Sequence, residues 1–406
     1  MKIIRIGIIG TGLISKRHMR VWSQIPGVEI AAACDIHEQR LAEWGEQYGI
    51  DPKNLYRDYR DLLARNDIDA VDVCLHNNLH APMSIAVMKA GKHCYCEKPM
   101  AGSYADAKLM YEASRKLNRK LAVQLSSIFN LQTRLAREYT QNGELGRLYH
   151  MRSVGQRRLG RPGVDFRGEF KPEFFSKEFA GHGALFDMGV YHISQLLFIA
   201  GIPELECVFG HTYQEMEVDP RLLGERKFEV EELGVGFARY KGGLTLDIIE
   251  SWALNIDDAS LGNSFVSGSK AGLRIENTDG YGGPLAVDPG SFDPPKLTLY
   301  KFENGMRTDT DLNIPANAAY ELELNPTLRL YNDNQMHWLA YLNDELTDET
   351  RYNTPWLALQ TMLVSEGVFL SQKLGRSVTA DEIDALSAST AVRHQKTDWG
   401  TLDYEF

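Results

Sequence analysis

The chain has 406 residues, 43% of them apolar and 24% charged, with a net charge of −11. That length exceeds one ordinary core and points to two domains. The acidic balance argues against nucleic acid as a main partner, because phosphate recognition concentrates Lys and Arg. No run approaches the roughly 20 apolar residues of a membrane span. The opening apolar run, Ile3 to Ile9, is broken by Arg5 and leads into glycine, not into a small-residue cleavage site, so it does not read as a signal peptide. Five cysteines (Cys34, Cys74, Cys94, Cys96 and Cys207) form no C-x-x-C pair and sit mostly in apolar runs. They read as reduced thiols in a cytoplasmic protein.

In chain order, Ile3 to Ile9 reads as a buried parallel strand and "LISKRHMRVWSQI" as a helix. "VEIAAACD" is a second strand ending at Asp35, and "EQRLAEWGEQYG" a helix stopped by Gly49. "YRDYRDLLARND" reads as a helix, "AVDVCL" as a strand and "HAPMSIAVMKAG" as a helix closed by Gly91. "HCYCEKP" is a strand ending in a proline turn, followed by the helix "SYADAKLMYEASRKLN" and the strand "KLAVQLSS". Repeated βαβ units of this kind build a parallel, doubly wound sheet.

G-T-G, at Gly10 to Gly12, lies at the junction of the first strand and first helix, and Asp35 ends the second strand 25 positions after Gly10. This is the context of a dinucleotide fingerprint. Gly10 permits the tight turn. Gly12 lets backbone approach a pyrophosphate at the helix N-terminus, where the N–H groups of Leu13 and Ile14 begin the first turn. Ser15, a small residue, replaces the third glycine. Asp35 would accept hydrogen bonds from ribose hydroxyls and repel a 2′-phosphate, which favours NAD; Arg40 and His37 keep NADP as the alternative. Past the later strands come "LHNNLHAP" (Leu75 to Pro82) and Glu97-Lys98-Pro99, polar groups at the sheet edge where such folds bind ligands.

The combination "GIIGTGLIS…CD…NNLHAP…AGKHCYCEKPMA…GALFDMGVYH", with "NGELGRLY" at Asn142 to Tyr149, "VSGSKAGLRI" at Val266 to Ile275 and "LGRSV" at Leu374 to Val378, resembles the Gfo/Idh/MocA oxidoreductases over nearly the whole chain. The resemblance implies a Rossmann domain (1–128) and a second α/β domain (129–406) with a large, open, mostly antiparallel sheet. The C-terminal helix near 355–375 would pack back on the first domain. It implies homodimers or homotetramers formed through that sheet. It also implies hydride transfer between NAD or NADP and a secondary hydroxyl of a sugar, inositol or related polyol. The alternative within the family is a redox glycosidase that passes through a transient keto sugar. Lys98 matches the family lysine that touches nicotinamide ribose and substrate. Leu75, His76, Asn77, His80 and Glu97 fall in the cofactor loops. Leu75-His76 departs from the usual Thr-Pro or Val-Pro, and Ser127 stands where an Arg is common.

"GHGALFDMGVYHISQLLFIAG" (Gly181 to Gly201) reads as one helix with a glycine-rich start. Asp187 and Tyr191 are four apart and share a face; a carboxylate on so apolar a helix needs a partner. Alcohol oxidation needs a group that moves the hydroxyl proton. Tyr191, at a family position held by His or Tyr, is expected to do so beside Lys98, with Asp187 orienting the substrate and the lysine. His192 is the second candidate. His182 reads as structural or as a peripheral substrate contact. In the loop Gln156 to Phe170, Arg157, Arg158 and Arg161 are candidate substrate contacts or surface charges. Trp252 reads as a core or interface aromatic that could instead stack on a sugar. Residues 276 to 330 read as sheet edge and long loops. No metal-ligand spacing, nucleophile elbow or P-loop lysine is present.

Overall fold

The computed structural model describes residues 3–165, 172–223, 225–256, 261–276, 296–312, 314 and 330–404. The chain divides into two compact units. The first comprises Met1–Gln124, Gln335–Leu359 and Ala388–Phe406, and the second Leu125–Asn334 and Gln360–Ser387. The division differs from a split into 1–128 and 129–406, because two late stretches return to the first unit.

The first unit carries a six-stranded sheet in the order β3-β2-β1-β4-β5-β6. Its strands are β1 (Ile4–Ile9), β2 (Val28–Cys34), β3 (Leu55–Tyr56), β4 (Ala70–Val73), β5 (His93–Cys96) and β6 (Leu121–Val123). Every pairing is parallel. The helices are α1 (Leu13–Trp22), α2 (Glu38–Tyr48), α3 (Tyr59–Leu63), α4 (Asn77–Lys89) and α5 (Tyr104–Lys116). Strand order reverses between β1 and β4, which opens a crevice at the strands' C-terminal ends. Ile6, Ile8, Met19, Trp22, Trp44, Tyr95 and Trp338 form one buried cluster. Residues 388–404 are tied down by Thr390, which donates to Asp106 and Asn78, and by Tyr404, which stacks on Tyr59.

The second unit is built on a nine-stranded sheet. Its central strands are β7 (Leu148–Gln156), β8 (Leu205–Tyr213), β9 (Leu233–Tyr240), β10 (Thr245–Ser251), β11 (Ser264–Gly268) and β12 (Ala271–Glu276). Among the described residues only β7 with β10 pairs in parallel; the other pairings are antiparallel. Of residues 276 to 330, 296–312 forms the last two strands at one side of the sheet, Lys296–Glu303 and the edge strand Met306–Leu312, while 277–295, 313 and 315–329 lie outside the described residues. One sheet face buries Met151, Leu246, Ile248, Val266 and Leu273. Cross-strand pairing places Phe209, Phe237, Asp247, Arg152, Phe265 and Arg274 in one row on the opposite face.

Three local expectations are corrected. "YRDYRDLLARND" is not one helix: Leu55–Tyr56 pairs with β2, and Asp58 then caps α3 by accepting the Arg60 N–H. The helix before Gly91 begins at Asn77, earlier than expected, with Pro82 inside it. The Gly181–Gly201 stretch is two helices, Ala184–Asp187 and Gly189–Ile199, interrupted at Met188.

Candidate active site

The glycine turn is built for close backbone approach. Gly10 sits at φ 94°, and a Cβ there would lie 2.2 Å from the Cys74 carbonyl oxygen. At Gly12 a Cβ would meet nothing within 4 Å, so the space above the α1 N-terminus is open, and no side chain caps that helix. The N-terminus of α1 thus offers the N–H groups and positive dipole end that a pyrophosphate needs. Leu13 is exposed and Ile14 half-buried at its rim. Ser15 donates to the Gly12 carbonyl (2.7 Å) and accepts from Trp44 Nε1 (3.0 Å), which is how a serine fills the third glycine's place.

Asp35 is buried and accepts from the Thr11 N–H (2.8 Å) and hydroxyl (2.9 Å), from the His37 N–H (2.9 Å) and from Arg40 (2.7 Å). Burial alone would raise its carboxyl, but the Arg40 guanidinium and the two backbone N–H groups outweigh it and hold the group below the usual carboxylate range. It is ionised at neutral pH, at the place where a ribose would lie. Arg40 neutralises it from the side.

The loop after β4 presents Leu75, His76 and Asn77, all half-buried. His80 and Glu97 are not available to a ligand in the way expected of cofactor contacts. The His80 imidazole is buried, with its ring nitrogens 2.7 Å from the Pro99 carbonyl and 3.0 Å from that of Leu75, so it ties the β4 loop to the proline turn. Burial depresses its basicity, against the two carbonyls that favour a proton on the ring. Glu97 spends one oxygen on His18 Nε2 (2.9 Å) and the other on the Lys98 N–H (2.7 Å). The backbone of Lys98 is therefore fixed by its own neighbour, and the Lys98–Pro99 peptide is cis.

In the second unit Asp187 is buried and accepts from Trp252 Nε1 at 2.9 Å. Trp252 is a core residue packed with Phe175, Met188 and Phe228, which excludes it from stacking on a sugar. His192 places Nδ1 2.9 Å from Glu250 Oε2, and Ser153 donates to the other Glu250 oxygen at 2.6 Å. Gly155 leaves room for this pair; a Cβ there would come within 2.2 Å of both. Tyr191 is half-buried, and its carbonyl accepts from the Ser127 hydroxyl at 2.9 Å. Glu231 accepts the N–H groups of Gly183 (2.8 Å) and Leu185 (3.0 Å), capping the short helix that carries Asp187. Burial pushes the Glu231 carboxyl up to about 7. His182 stacks on Phe186 (4.3 Å) and packs on Phe369, a structural role.

Of the three arginines, Arg161 is buried and locked by Asp165 and Glu232, so it is not a substrate contact. Arg157 donates to the Gly160 carbonyl, and Arg158 is exposed. Residues 166–170 of that loop lie outside the described residues.

Residues 4–125 match the oxidoreductase family with an NAD-binding Rossmann fold, and residues 133–274 the GFO/IDH/MocA C-terminal domain. The chain is 30% identical over 278 residues to D-glucoside 3-dehydrogenase of Escherichia coli, covering 67% of this chain and 77% of that protein. The chain belongs to the Gfo/Idh/MocA family. It is also 30% identical to myo-inositol 2-dehydrogenase of Thermotoga maritima over 51% of this chain and 58% of that protein. The fold matches that of aldose-aldose oxidoreductase from Caulobacter crescentus, complexed with glycerol, with a TM-score of 0.69 at 22% identity, over 93% of this chain and 100% of that one.

Against this Gfo/Idh/MocA background, the residues that sequence reasoning missed are His18, Asp72, Glu231 and Glu250. Each is a buried ionisable group, and a signal existed for three of them: Asp72 and Glu250 interrupt apolar strands, and His18 lies on the packed face of α1. A buried charge demands a partner. Which partner it finds, 54 to 79 residues away for His18, was not legible.

Proposed function

We propose that the protein is an NAD-dependent dehydrogenase that oxidises a secondary hydroxyl of a sugar or cyclitol. NAD, seated by Gly10, Gly12, the first turn of α1 and Asp35, supplies the hydride acceptor. The open space above Gly12 and the ionised Asp35 fit that group. The Lys98 ammonium stabilises negative charge developing on the substrate oxygen. Tyr191 takes the hydroxyl proton, with His192, oriented by Glu250, as the second group able to do so. Asp187, held by Trp252, orients the substrate. Asp35 favours NAD over NADP, while its pairing with Arg40 leaves a cation beside the ribose position. The observation that carries this reading is the lysine turn, in which Glu97 is consumed by His18 and the Lys98 N–H, so that the residue after it is held in place.

The substrate class rests on the glucoside and inositol dehydrogenases among the relatives. The exposed aromatic row of the nine-stranded sheet supports a homodimer or homotetramer formed through that face. The absence of a described helix long and apolar enough to cross a membrane, and five free thiols, support a cytoplasmic location.

The test is a panel of methyl glucosides, free aldoses and myo-inositol, offered with NAD and NADP and followed by absorbance of the reduced nicotinamide. Net NADH formation with one member supports the dehydrogenase. Cleavage of a glycoside without net NADH replaces it with a redox glycosidase, and silence across the panel with no NAD binding overturns both.

A further inference from the structure

Beneath the lysine turn lies a buried group that hydride transfer does not itself need. His18, on α1, has Nδ1 2.8 Å from Asp72 Oδ2 and Nε2 2.9 Å from Glu97 Oε1. All three side chains are buried. An ionised carboxylate only accepts hydrogen bonds, and a neutral imidazole carries a single N–H. Two such contacts on opposite sides of one ring are both satisfied when the ring is an imidazolium. The surroundings agree. Asp72 also accepts from Trp22 Nε1 (2.7 Å). The Cys74 sulfur lies 3.4 Å from Nδ1. Tyr95 meets the ring edge-on at 5.6 Å with its hydroxyl turned to Gln124. The His18 carbonyl accepts from Gln335 Nε2 (3.1 Å), which pins the backbone that carries the ring.

The contacts form a continuous chain: Asp72 on β4, His18 on α1, Glu97 after β5, then the Lys98 N–H. We propose that His18 is a positioning residue, an imidazolium that bridges Asp72 and Glu97 and thereby fixes the carboxylate that sets where Lys98 is presented. This rests on the role given to Lys98 above. Burial works against a charged ring, but the Asp72 carboxylate beside it outweighs burial and raises His18 well above an ordinary histidine. Glu97 is correspondingly held below the usual carboxylate range, where burial alone would raise it, by the His18 hydrogen bond and charge. The other titratable neighbours are Cys74, whose thiol burial pushes up to about 12, and His80 and Lys98, which face Glu97. The ligand atoms of His18, Asp72 and Cys74 lie within 4.8 Å of one another, a spacing a metal ion could also use. The 2.8 Å contact between Nδ1 and Oδ2 is instead that of a charge-assisted N–H···O hydrogen bond.

Three measurements test this. In protein labelled with ¹⁵N-histidine, His18 should show both ring nitrogens protonated at pH 8; a neutral ring overturns the proposal, as does one equivalent of tightly bound zinc in the purified protein. His18→Gln should lower kcat about 100-fold, the scale of a catalytic group displaced by an ångström, with NAD affinity within twofold of wild type. Glu97→Gln should do the same, and the double variant should be no worse than threefold below the weaker single. Losses that multiply in the double variant, or NAD affinity falling in parallel with kcat, would assign His18 a merely structural role. If His18→Gln does not fold, Glu97→Asp, which withdraws the carboxylate by one methylene, is read in its place, and wild-type kcat there overturns the proposal. Activity is followed with the panel sugar that reduces NAD fastest. Retained turnover in Lys98→Met defeats the reading of the site itself. A dead Lys98→Met beside an unimpaired His18→Gln defeats this inference alone.

Discussion

The lysine turn of the first unit and the Ala184–Ile199 stretch of the second are held by opposite means. Beneath Lys98 the buried charges alternate in sign, with Asp72, His18 and Glu97 hydrogen-bonded in series. Beneath Asp187 the buried Glu231 meets backbone N–H groups, and its carboxyl titrates near 7. A compensated series keeps its geometry wherever all three groups keep their charge. A lone carboxyl capping a helix changes state in the range where an enzyme works. The two halves of the proposed chemistry should therefore respond differently to pH and to deletion.

The largest effect is expected from Lys98→Met, which removes the cation and leaves the glycine turn intact. Turnover should fall at least 10²–10³-fold, as when one electrostatic stabiliser of a transition state is lost. NAD binding, read by quenching of tryptophan fluorescence, should be unchanged; activity within tenfold of wild type would remove Lys98 from the chemistry. Next is Glu250→Ala, which removes the carboxylate shared by His192 Nδ1 and the Ser153 hydroxyl and opens a cavity beside Gly155. A loss of about 3–5 kcal/mol in urea unfolding is expected, the cost of breaking a buried pair from one side; a loss below 1 kcal/mol would make the His192–Glu250 contact incidental.

Glu231 provides the pH comparison. Its folded value, about 7, lies above the ordinary glutamate value. Its contribution to stability is thus complete below pH 4.5 and is lost as pH rises through 7, up to a bound on the order of 3 kcal/mol. The Glu231→Gln variant should lack that decline between pH 5 and 8, measured as the difference in melting temperature from wild type. Parallel curves would sink the assignment. His18 acts with the same sign but at higher pH: its stabilisation is complete below the ordinary imidazole value and fades only as pH climbs toward its raised one. The smallest effect is expected from Trp252→Phe. That change removes the N–H donated to Asp187 and should cost about 1–3 kcal/mol, with KM for the sugar rising and kcat nearly unchanged if Asp187 orients the substrate. An unchanged KM would count against that role.

The βαβ rhythm was legible because most strands and helices of the first unit are local patterns: an apolar run, a glycine stop, a capping residue. Gly10, Gly12, Asp35 and Lys98 stand out in the sequence for the same reason, since each falls just past a strand, and the roles given to them are those of the proposal above. The two-residue strand Leu55–Tyr56 was hidden, because its existence depends on pairing with β2 and not on its own sequence. His80 and Glu97 show the complementary failure. They were expected to face a cofactor, but their side chains turn inward, His80 to the Leu75 and Pro99 carbonyls and Glu97 to His18, 79 residues away. The break at Met188 was not legible either. Met188 keeps a helical φ and ψ, and Glu231, some 40 residues later, caps the short helix that precedes it.

The return of residues 335–359 and 388–404 to the first unit bears on synthesis. Trp22 packs against Trp338 with ring centroids 6.2 Å apart. At translation rates of about 5–20 residues per second, Trp22 leaves the ribosome roughly 15–60 s before its partner exists. Until then the Trp22 face of α1 lacks the Trp338 ring that covers it in the folded unit. The nucleotide-binding unit starts before the second unit in the chain and is completed only after most of it.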